Sequence, residues 1–295
     1  MNVGFLGSTV MDHLIMQGKE RLSPGGIFYS VACAKAFKNS VDNYYLITSF
    51  AKHYRDELAP WFDEFNLEYS EIGDVMPEVY LTTFPDKERE ERYENFSSKS
   101  VFTRWIPQLD ALYINMITGF DITLDELIEL RRQNDLFVYL DVHSLARGVT
   151  PTFERPFRLI PRVKEWLSSV DILQANESEL LMLGEGRNRE QTIEFIFETS
   201  PNLILVNTLG EQGARVYSFD NEKIVQYNVE PFPGSNVNAI GCGDVFGAAF
   251  FLSYFEDRDL LYSAKIASAA GASITEYSSI FQLRELKKDV INRIA

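Results

Sequence analysis

Residues 238–251 carry the side chains and turns best suited to chemistry. The segment reads Asn-Ala-Ile-Gly-Cys-Gly-Asp-Val-Phe-Gly-Ala-Ala-Phe-Phe, so Gly241 and Gly243 flank Cys242 directly before Asp244. The apolar run that follows is long enough for about three turns of a buried helix. Backbone N–H groups at a helix start lack intrahelical partners, and the helix dipole places about half a positive charge there. The segment therefore predicts a backbone site for anionic oxygens with a carboxylate beside it.

Asp244 has two interpretations at this stage. A carboxylate near a helix start is common as a cap, and a Gly-x-Gly-Asp tetrapeptide alone is weak evidence for a site. Beside a bound phosphate the same carboxylate costs free energy, because like charges repel. Agreement with other positions along the chain favours the functional interpretation.

The segment resembles the second signature of the ribokinase-like (PfkB) carbohydrate kinases, which is approximately Asp-Thr-x-Gly-Ala-Gly-Asp-x-Phe. In that family the Gly-x-Gly-Asp backbone forms an anion hole for the migrating phosphoryl group, and the Asp is the base for the sugar hydroxyl. By this resemblance the catalytic roles fall to Gly241, Cys242, Gly243 and Asp244. The similarity extends, in order, over nearly the whole chain.

Near the N-terminus the resemblance implies an acceptor site. Asp12 stands where family members carry an Asp that binds sugar hydroxyls, and a carboxylate can accept two hydrogen bonds from vicinal hydroxyls. Gly25 and Gly26 match the Gly-Gly element that lines the sugar pocket and opens a helix. Ser30 replaces the usual Asn with a shorter side chain, which leaves the hydroxyl pattern of the substrate open. The implied substrate-binding residues are thus Asp12, Gly25, Gly26 and Ser30.

Further along, the resemblance implies sites for magnesium and nucleotide. Asn176 and Glu179 match an Asn-x-x-Glu motif that supports Mg²⁺ and its water shell, which suits an ion that prefers oxygen ligands and keeps several waters. The same spacing before an apolar helix is also typical of a capping box, and both roles are compatible. Thr208, Gly210 and Gly213 match the strand-to-turn element that contacts the nucleotide phosphates and ribose, although such glycine turns are often only structural.

The elements that must position these residues alternate along the chain. Short β-branched and aromatic runs predict strands at 3–6, 44–48, 112–117, 137–141, 171–173 and 203–206. Helical spacing predicts helices at 27–37, 123–133, 162–168, 178–183, 191–198 and 260–273. Strand–helix alternation indicates an α/β fold with a parallel sheet whose carboxyl ends form one crevice. With the resemblance, we expect a ribokinase-like three-layer α/β/α sandwich with a mostly parallel central sheet and a small β lid.

Two stretches interrupt this alternation. Residues 67–96 have the composition of antiparallel strands plus an exposed turn, and we expect a lid there, with the acidic run 88–94 as a solvated turn. The runs 214–219 and 223–228 flank an Asp220–Asn221 turn and predict a hairpin at the sheet edge. We expect residues 1–295 to form a single kinase domain, with lid segments at approximately 8–22 and 66–104.

Composition limits the partners. The formal net charge of −15 repels phosphate backbones and anionic membrane surfaces, so nucleic acid and membrane are not expected partners. The two cysteines, Cys33 and Cys242, are expected to be reduced thiols. With no basic leader before the first apolar run, and a longest apolar stretch too short to span a bilayer, we expect a cytoplasmic protein.

The remaining features qualify the predicted activity. Asn238 and Ala239 stand where cation-activated family members have Asp and Thr, so we expect little dependence on potassium. The histidines show no metal-ligand spacing; His143 follows a strand end and could reach the crevice, although a polar loop residue is the favoured interpretation. Gly4 and Gly7 do not complete the Gly-x-Gly-x-x-Gly pattern of an NAD-dependent oxidoreductase.

The resemblance implies phosphorylation of a sugar hydroxyl with ATP and Mg²⁺, so the expected partners are a small-molecule sugar and a nucleotide. Two alternatives stay open: a nucleoside kinase of the same family, and a catalytically silent sugar or nucleotide sensor on this fold. The aromatic residues of 67–96 suit a cover over the sugar, or a homodimer contact through the lid, which occurs in parts of the family.

Overall fold

The computed structural model describes residues 1–16, 19–39, 42–82, 90–102, 109–133, 135–234 and 240–295. The strands are β1 (Asn2–Leu6), β2 (Thr9–Met16), β3 (Lys19–Gly26), β4 (Asn43–Ile47), β5 (Ser49–Ala51), β6 (Glu71–Gly73), β7 (Glu78–Thr82), β8 (Glu90–Glu94), β9 (Ala111–Asn115), β10 (Phe137–Asp141), β11 (Ile172–Asn176), β12 (Ile204–Thr208), β13 (Ala214–Asp220) and β14 (Lys223–Val229). The α-helices are α1 (Phe28–Phe37), α2 (Arg55–Phe62), α3 (Leu124–Gln133), α4 (Val163–Leu167), α5 (Glu177–Leu183), α6 (Arg189–Thr199), α7 (Cys242–Asp257), α8 (Leu260–Ile274) and α9 (Leu286–Ile294).

The central sheet has the order β14-β13-β12-β11-β10-β9-β1-β4. From β12 to β4 all neighbouring strands pair in parallel, and β13 and β14 close one edge as an antiparallel hairpin. The mostly parallel sheet predicted from the alternation is therefore confirmed. Because the six parallel strands point the same way, their carboxyl ends lie along one edge, where side chains from successive strands can meet.

Apolar side chains cover both faces of this sheet. Phe5 and Tyr113 belong to the core cluster shared with α1, α7, α8 and α9, whereas Leu6 and Leu112 belong to the cluster shared with α3 to α6. This alternation follows from the two-residue period of a strand. The result is the expected helix–sheet–helix arrangement. Helices α2 and α9 were not predicted.

A second sheet, in the order β3-β2-β7-β8, forms the lid. Strand β2 pairs antiparallel with β3 and parallel with β7, so both predicted lid segments contribute to one sheet. The prediction of a solvated turn at 88–94 is wrong for 90–94, because these residues form β8 with Glu91 and Tyr93 buried. Strand alternation turns Glu91 and Tyr93 to the inner face of β8, so a segment rich in charged residues can still form a strand with one buried face.

The edge hairpin is present with its turn shifted by one residue from the prediction. Asp220 pairs with Lys223, and the turn residues are Asn221 and Glu222, with φ of 48° and 62°. Positive φ at both central positions is the geometry that matches the twist of the flanking strands. Within the described ranges, no helix is both long and apolar enough to cross a membrane.

Candidate active site

The first turn of α7 lies at the crevice edge of the sheet and depends on Gly241. This residue has φ of 76°, and a Cβ built on it would lie 2.3 Å from the Tyr29 ring. Any side chain would therefore be strained by the backbone and would collide with the ring. The N–H of Val245 donates to the carbonyl of Gly241 at 2.9 Å, so the amides of Gly243 and Asp244 precede the helical hydrogen bonds. This geometry gives a helix start of the kind that the predicted anion site requires.

Asp244 is held in place by Asn115, a residue the sequence analysis did not select. Asn115 is the last residue of β9 and is fully buried, and its Nδ2 donates to Asp244 Oδ1 at 2.7 Å. Its own Oδ1 is buried without a hydrogen-bond partner among the described residues. The half-buried carboxylate of Asp244 is thus fixed at the wall of the pocket it lines.

A buried polar network joins the sheet to the same helical turn. Tyr139 donates to Gln174 Oε1 at 2.7 Å, while Gln174 Nε2 donates to Asp141 Oδ2 at 2.9 Å and to the carbonyl of Gly243 at 3.1 Å. These side chains come from the neighbouring strands β10 and β11. Polar residues at the carboxyl ends of otherwise apolar strands are the signal that could have identified Asn115, Asp141 and Gln174 as site residues.

Acidic side chains converge beside this network. Burial raises the pKa of Asp141 well above its usual value, and the nearby carboxylates of Glu179 and Asp244 raise it further. A divalent cation would offset such a concentration of negative charge, and carboxylate oxygens are the ligands Mg²⁺ prefers. Among the described residues no three acidic, histidine or cysteine side chains are grouped so that they could hold a metal ion directly, so Mg²⁺ could be held at this edge only through its waters.

Asn176 and Glu179 form the capping box at the start of α5. Asn176 Oδ1 accepts from the N–H of Glu179 at 2.9 Å, and the N–H of Asn176 donates to Glu179 Oε2 at 2.8 Å. These bonds fix both side chains at the crevice, consistent with contact to an ion through its water shell. Thr208 is the direct partner of Asn176 in the β11–β12 register, so the strand end expected to contact nucleotide lies beside them.

Gly210 and Gly213 lie in the turn that follows Thr208. Their φ values are 59° and 84°, and a Cβ on Gly213 would lie 2.1 Å from the Val229 carbonyl oxygen. The turn therefore has a structural need for glycine at Gly213, whatever it binds. Gly210 is exposed at the rim, with nothing within 4 Å of a built Cβ.

The lid and the helix start line one partly open pocket. Its lining includes Asp12, Gly26, Gly241 and Asp244, which the sequence analysis assigned to acceptor binding and catalysis. Gly25 lies directly behind Asp12, because a Cβ built on it would be 2.1 Å from Asp12 Oδ2. The structure thus brings these predicted residues into one place.

Ser30 is placed differently from the other residues expected to bind the acceptor. It is fully buried, and its hydroxyl donates to Tyr113 Oη at 3.3 Å and to the carbonyl of Asp244 at 3.4 Å. The side chain therefore supports the first turn of α7 from behind. His143 reaches the crevice, the alternative left open above, and lines the pocket with φ of 36°, an uncommon backbone conformation for a residue other than glycine.

Cys242 lies in the same turn with its thiol partly covered. Burial, and to a lesser degree the charge of Asp244, raises the pKa of Cys242 to about 12. The thiol is therefore protonated at neutral pH and is a poor nucleophile. Cys242 contributes its backbone to the turn. Asn238 and Ala239 lie outside the described residues, and the expectation about potassium stays a prediction.

Comparison with known proteins gives matches at the level of family and fold. The model of the pfkB family carbohydrate kinases matches residues 122–283. A 5-dehydro-2-deoxygluconokinase from Clostridium beijerinckii is 28% identical over 160 residues, covering 52% of this chain and 45% of that protein. The chain thus spans less than half the length of the curated relatives it matches.

Two solved structures share the fold over almost the whole chain. A pyrophosphate-dependent kinase in the ribokinase family, complexed with a pyrophosphate analog and myo-inositol, has a TM-score of 0.76 and 16% identity, covering 97% of this chain and 99% of its own. Arabidopsis thaliana ribokinase, complexed with ribose and ATP, has a TM-score of 0.72 and 17% identity, covering 98% and 97%. Since the family model spans more than half of the sequence, this ribokinase-like chain belongs to the pfkB family of carbohydrate kinases.

Proposed function

We propose that the chain transfers a phosphoryl group from ATP to a hydroxyl group of a sugar or sugar-like acceptor. The observation that carries the proposal is Asp244, fixed by Asn115 at 2.7 Å on the first turn of α7, in one pocket with Asp12. A helix start binds the transferred phosphate, and a carboxylate beside it faces the acceptor. This is the arrangement that phosphoryl transfer to an alcohol requires.

The chemistry follows from these positions. The acceptor oxygen forms a bond to the γ-phosphorus as the bond from that phosphorus to the β–γ bridging oxygen breaks, and ADP leaves. Asp244 orients the attacking hydroxyl and takes its proton, which is transferred during or after P–O bond formation, since a carboxylate is a weak base. The amides of Gly241, Cys242, Gly243 and Asp244 stabilise the equatorial oxygens of the transferred group.

Asn176 and Glu179 would hold Mg²⁺ through its waters. When bound, the ion would neutralise charge on the phosphates of the donor. Thr208, Gly210 and Gly213 would contact the nucleotide, because their strand end lies beside Asn176 in the sheet. Asp12, with Gly25 and Gly26 behind and beside it, would bind acceptor hydroxyls, and Ser30 would brace the helical turn.

The test is an acceptor screen that measures product formation with each donor. ATP and pyrophosphate are compared as donors, because a structural neighbour is described as pyrophosphate-dependent. Asp244→Asn should lower kcat by about 10²–10⁴-fold. Asp257→Asn, the same change at the exposed far end of α7, should leave kcat unchanged and serves as the matched control.

Each outcome has a defined meaning. Near-normal turnover by Asp244→Asn would remove the base assignment. Turnover only with nucleosides would favour the nucleoside kinase, and tight ligand binding without turnover would favour the sensor. If product formed only from pyrophosphate, the proposed acceptor chemistry would stand, and pyrophosphate would replace ATP as the proposed donor.

A further inference from the structure

Among the described residues, the permanently charged side chains that line the pocket are all carboxylates. Three carboxylates from three elements line it: Asp12 from β2, Glu91 from β8 and Asp244 from α7. Among the described residues, the other lining positions are glycines, apolar or aromatic side chains and His143, with no lysine or arginine. The Nδ1 atom of His143 lies 3.1 Å from Ser144 Oγ. An acceptor in this pocket would therefore meet carboxylates on the described wall and no permanent positive charge.

Glu91 reaches the pocket because of the register of the lid sheet. It is 8% exposed and lies opposite Leu81, while Tyr93 lies opposite Val79, and all four residues line the pocket. Glu94, on the other face of β8, instead accepts a hydrogen bond from Tyr80 at 3.2 Å. Strand alternation thus places Glu91 on the inner face of β8 and Glu94 on the outer face.

Arg155 balances the charge of Glu91 from outside the described lining. It is 4% exposed, donates to the carbonyls of Thr118 and Gly148 at 2.7 and 2.8 Å, and lies 5.0 Å from the centre of the Tyr93 ring. Burial lowers the pKa of Arg155, and the nearby Tyr93 and Glu91 oppose that shift. A buried carboxylate needs a compensating charge of this kind, and here the cation is not part of the surface an acceptor would meet.

The consequence for an acceptor depends on its charge. Hydroxyl groups donate to carboxylates, so a polyol can hydrogen-bond to the carboxylates of this wall. A carboxylate or phosphate on the acceptor would instead lie near the like charges of Asp12 and Asp244, since Arg155 balances only Glu91, and repulsion in a partly buried site is stronger than in water.

We infer that the acceptor is a polyhydroxylated molecule without an anionic group, and that Glu91 is the specificity-determining residue that binds its hydroxyls and disfavours sugar acids and sugar phosphates. This inference rests on the proposed function, because it identifies the pocket as the acceptor site. It extends the proposed function by naming the charge class of the acceptor and a lid residue that sets it.

The experiment measures binding by calorimetry and turnover by product release over charge-matched acceptors. The panel is ribose, fructose, glucose and myo-inositol, each beside an acidic or phosphorylated counterpart, with glucosamine as the cationic member. Wild-type protein should prefer a neutral member over its anionic counterpart by at least about tenfold. Glu91→Gln should raise the KM of that neutral acceptor about 10- to 100-fold and reduce the preference against its anionic counterpart, because a charge-assisted hydrogen bond is lost.

Glu94→Gln is the matched control, since it makes the same change on the same strand with the side chain on the outer face. It should leave the acceptor preference unchanged. Preference of the wild-type protein for an anionic acceptor over its neutral counterpart would overturn the inference without any variant, whereas tighter binding of glucosamine than of glucose would agree with an acidic wall. Unchanged selectivity in a folded Glu91→Gln protein would overturn the role of Glu91.

The experiment can contradict the proposed kinase activity and the inference about the acceptor independently. Binding of neutral polyols without turnover would retain the inference and contradict the kinase activity. Turnover of a sugar acid or sugar phosphate in preference to neutral acceptors would retain the kinase activity and contradict the inference. Absence of both binding and turnover across the panel would contradict both.

Discussion

At the scale of single residues, the base proposed here depends on a neighbour. The bond from Asn115 Nδ2 to Asp244 Oδ1, at 2.7 Å, is the contact that fixes the direction of the carboxylate. Removing this hydrogen bond leaves the Asp244 carboxylate in place but free to rotate. The carboxylate is then oriented towards the bound acceptor for a smaller fraction of the time. Asn115 is therefore a positioning residue rather than a catalytic one.

We predict that Asn115→Ala lowers kcat by about 10- to 100-fold and changes the acceptor KM by less than about threefold. Steady-state kinetics with a saturating donor separates the two constants. Asn43→Ala, at the amino end of β4, is the control on the same sheet. A rise in KM with kcat unchanged would show that Asn115 serves binding and not orientation.

The thiol of Cys242 gives a pH-dependent prediction. Its pKa of about 12 means that about one thiol in 10⁵ is ionised at pH 7, and the thiolate is the reactive form. Alkylation by iodoacetamide should therefore be slow at pH 7 and should accelerate about tenfold per pH unit towards pH 9. Mass spectrometry of the intact and digested protein measures the rate at this site, and Cys33, which is fully buried, should react more slowly.

Cys242→Ala should abolish the labelling and retain most of the activity, because the turn uses the backbone of this residue. Fast alkylation at pH 7 would contradict the protonated thiol. Loss of activity in Cys242→Ala would show that the side chain itself has a role.

At the scale of elements, one buried carboxylate joins the start of the lid to the central sheet. Asp121 is fully buried, and its oxygens accept from the N–H groups of Ser8, Thr118 and Gly119 at 2.7, 2.9 and 3.2 Å. Ser8 lies between β1 and β2, so this carboxylate holds the point where the chain leaves the sheet for the lid. Its removal would leave buried donors without acceptors.

We predict that Asp121→Ala lowers the free energy of unfolding by about 2–4 kcal/mol. Urea denaturation followed by circular dichroism measures the change. Asp125→Ala, an exposed position in the first turn of α3, should cost less than about 1 kcal/mol. Equal effects of the two substitutions would contradict the role given to Asp121.

The elements also show what can be predicted from the sequence. Each of the six predicted strands is present, because long apolar runs leave few alternatives, and the glycine turn before α7 is where the motif indicates. The interpretation of 88–94 failed because charged residues in β8 were taken as exposed, although Glu91 faces inward beside an apolar strand. Polar residues near the carboxyl ends of apolar strands could have identified Asn115, Asp141 and Gln174 as site residues, but their contacts could not be predicted, since these depend on strand order rather than on local sequence.

At the scale of the whole molecule, Arg155 links the lid to the sheet. Its guanidinium donates to the carbonyls of Thr118 and Ser144, and it stacks near the rings of Tyr93 and Phe96 from the lid side. Arg155→Met should therefore loosen the lid more than the core. Hydrogen exchange should accelerate in β7 and β8 and stay unchanged in β10 and β11.

The neighbouring Arg158 provides the control. It is exposed and donates to the carbonyl of Arg147 at 3.2 Å, so Arg158→Met should leave lid exchange unchanged. Uniform acceleration through both sheets in Arg155→Met would contradict a specific link. Light scattering on the same samples tests whether the lid forms a homodimer contact, which is the alternative to its role as a cover over the sugar.

The two-sheet construction of the pocket has a consequence for ligand affinity. Asp12 lies on β2 of the lid and Asp244 on α7 of the core, and only Gly7 and Ser8 separate β1 from β2. An acceptor can contact both carboxylates only while the two sheets are docked, so its measured dissociation constant contains the docking equilibrium as a factor. Once the undocked form predominates, solution conditions that lower the docking equilibrium constant tenfold would raise the dissociation constant of the acceptor tenfold. Every residue of the site would still be intact.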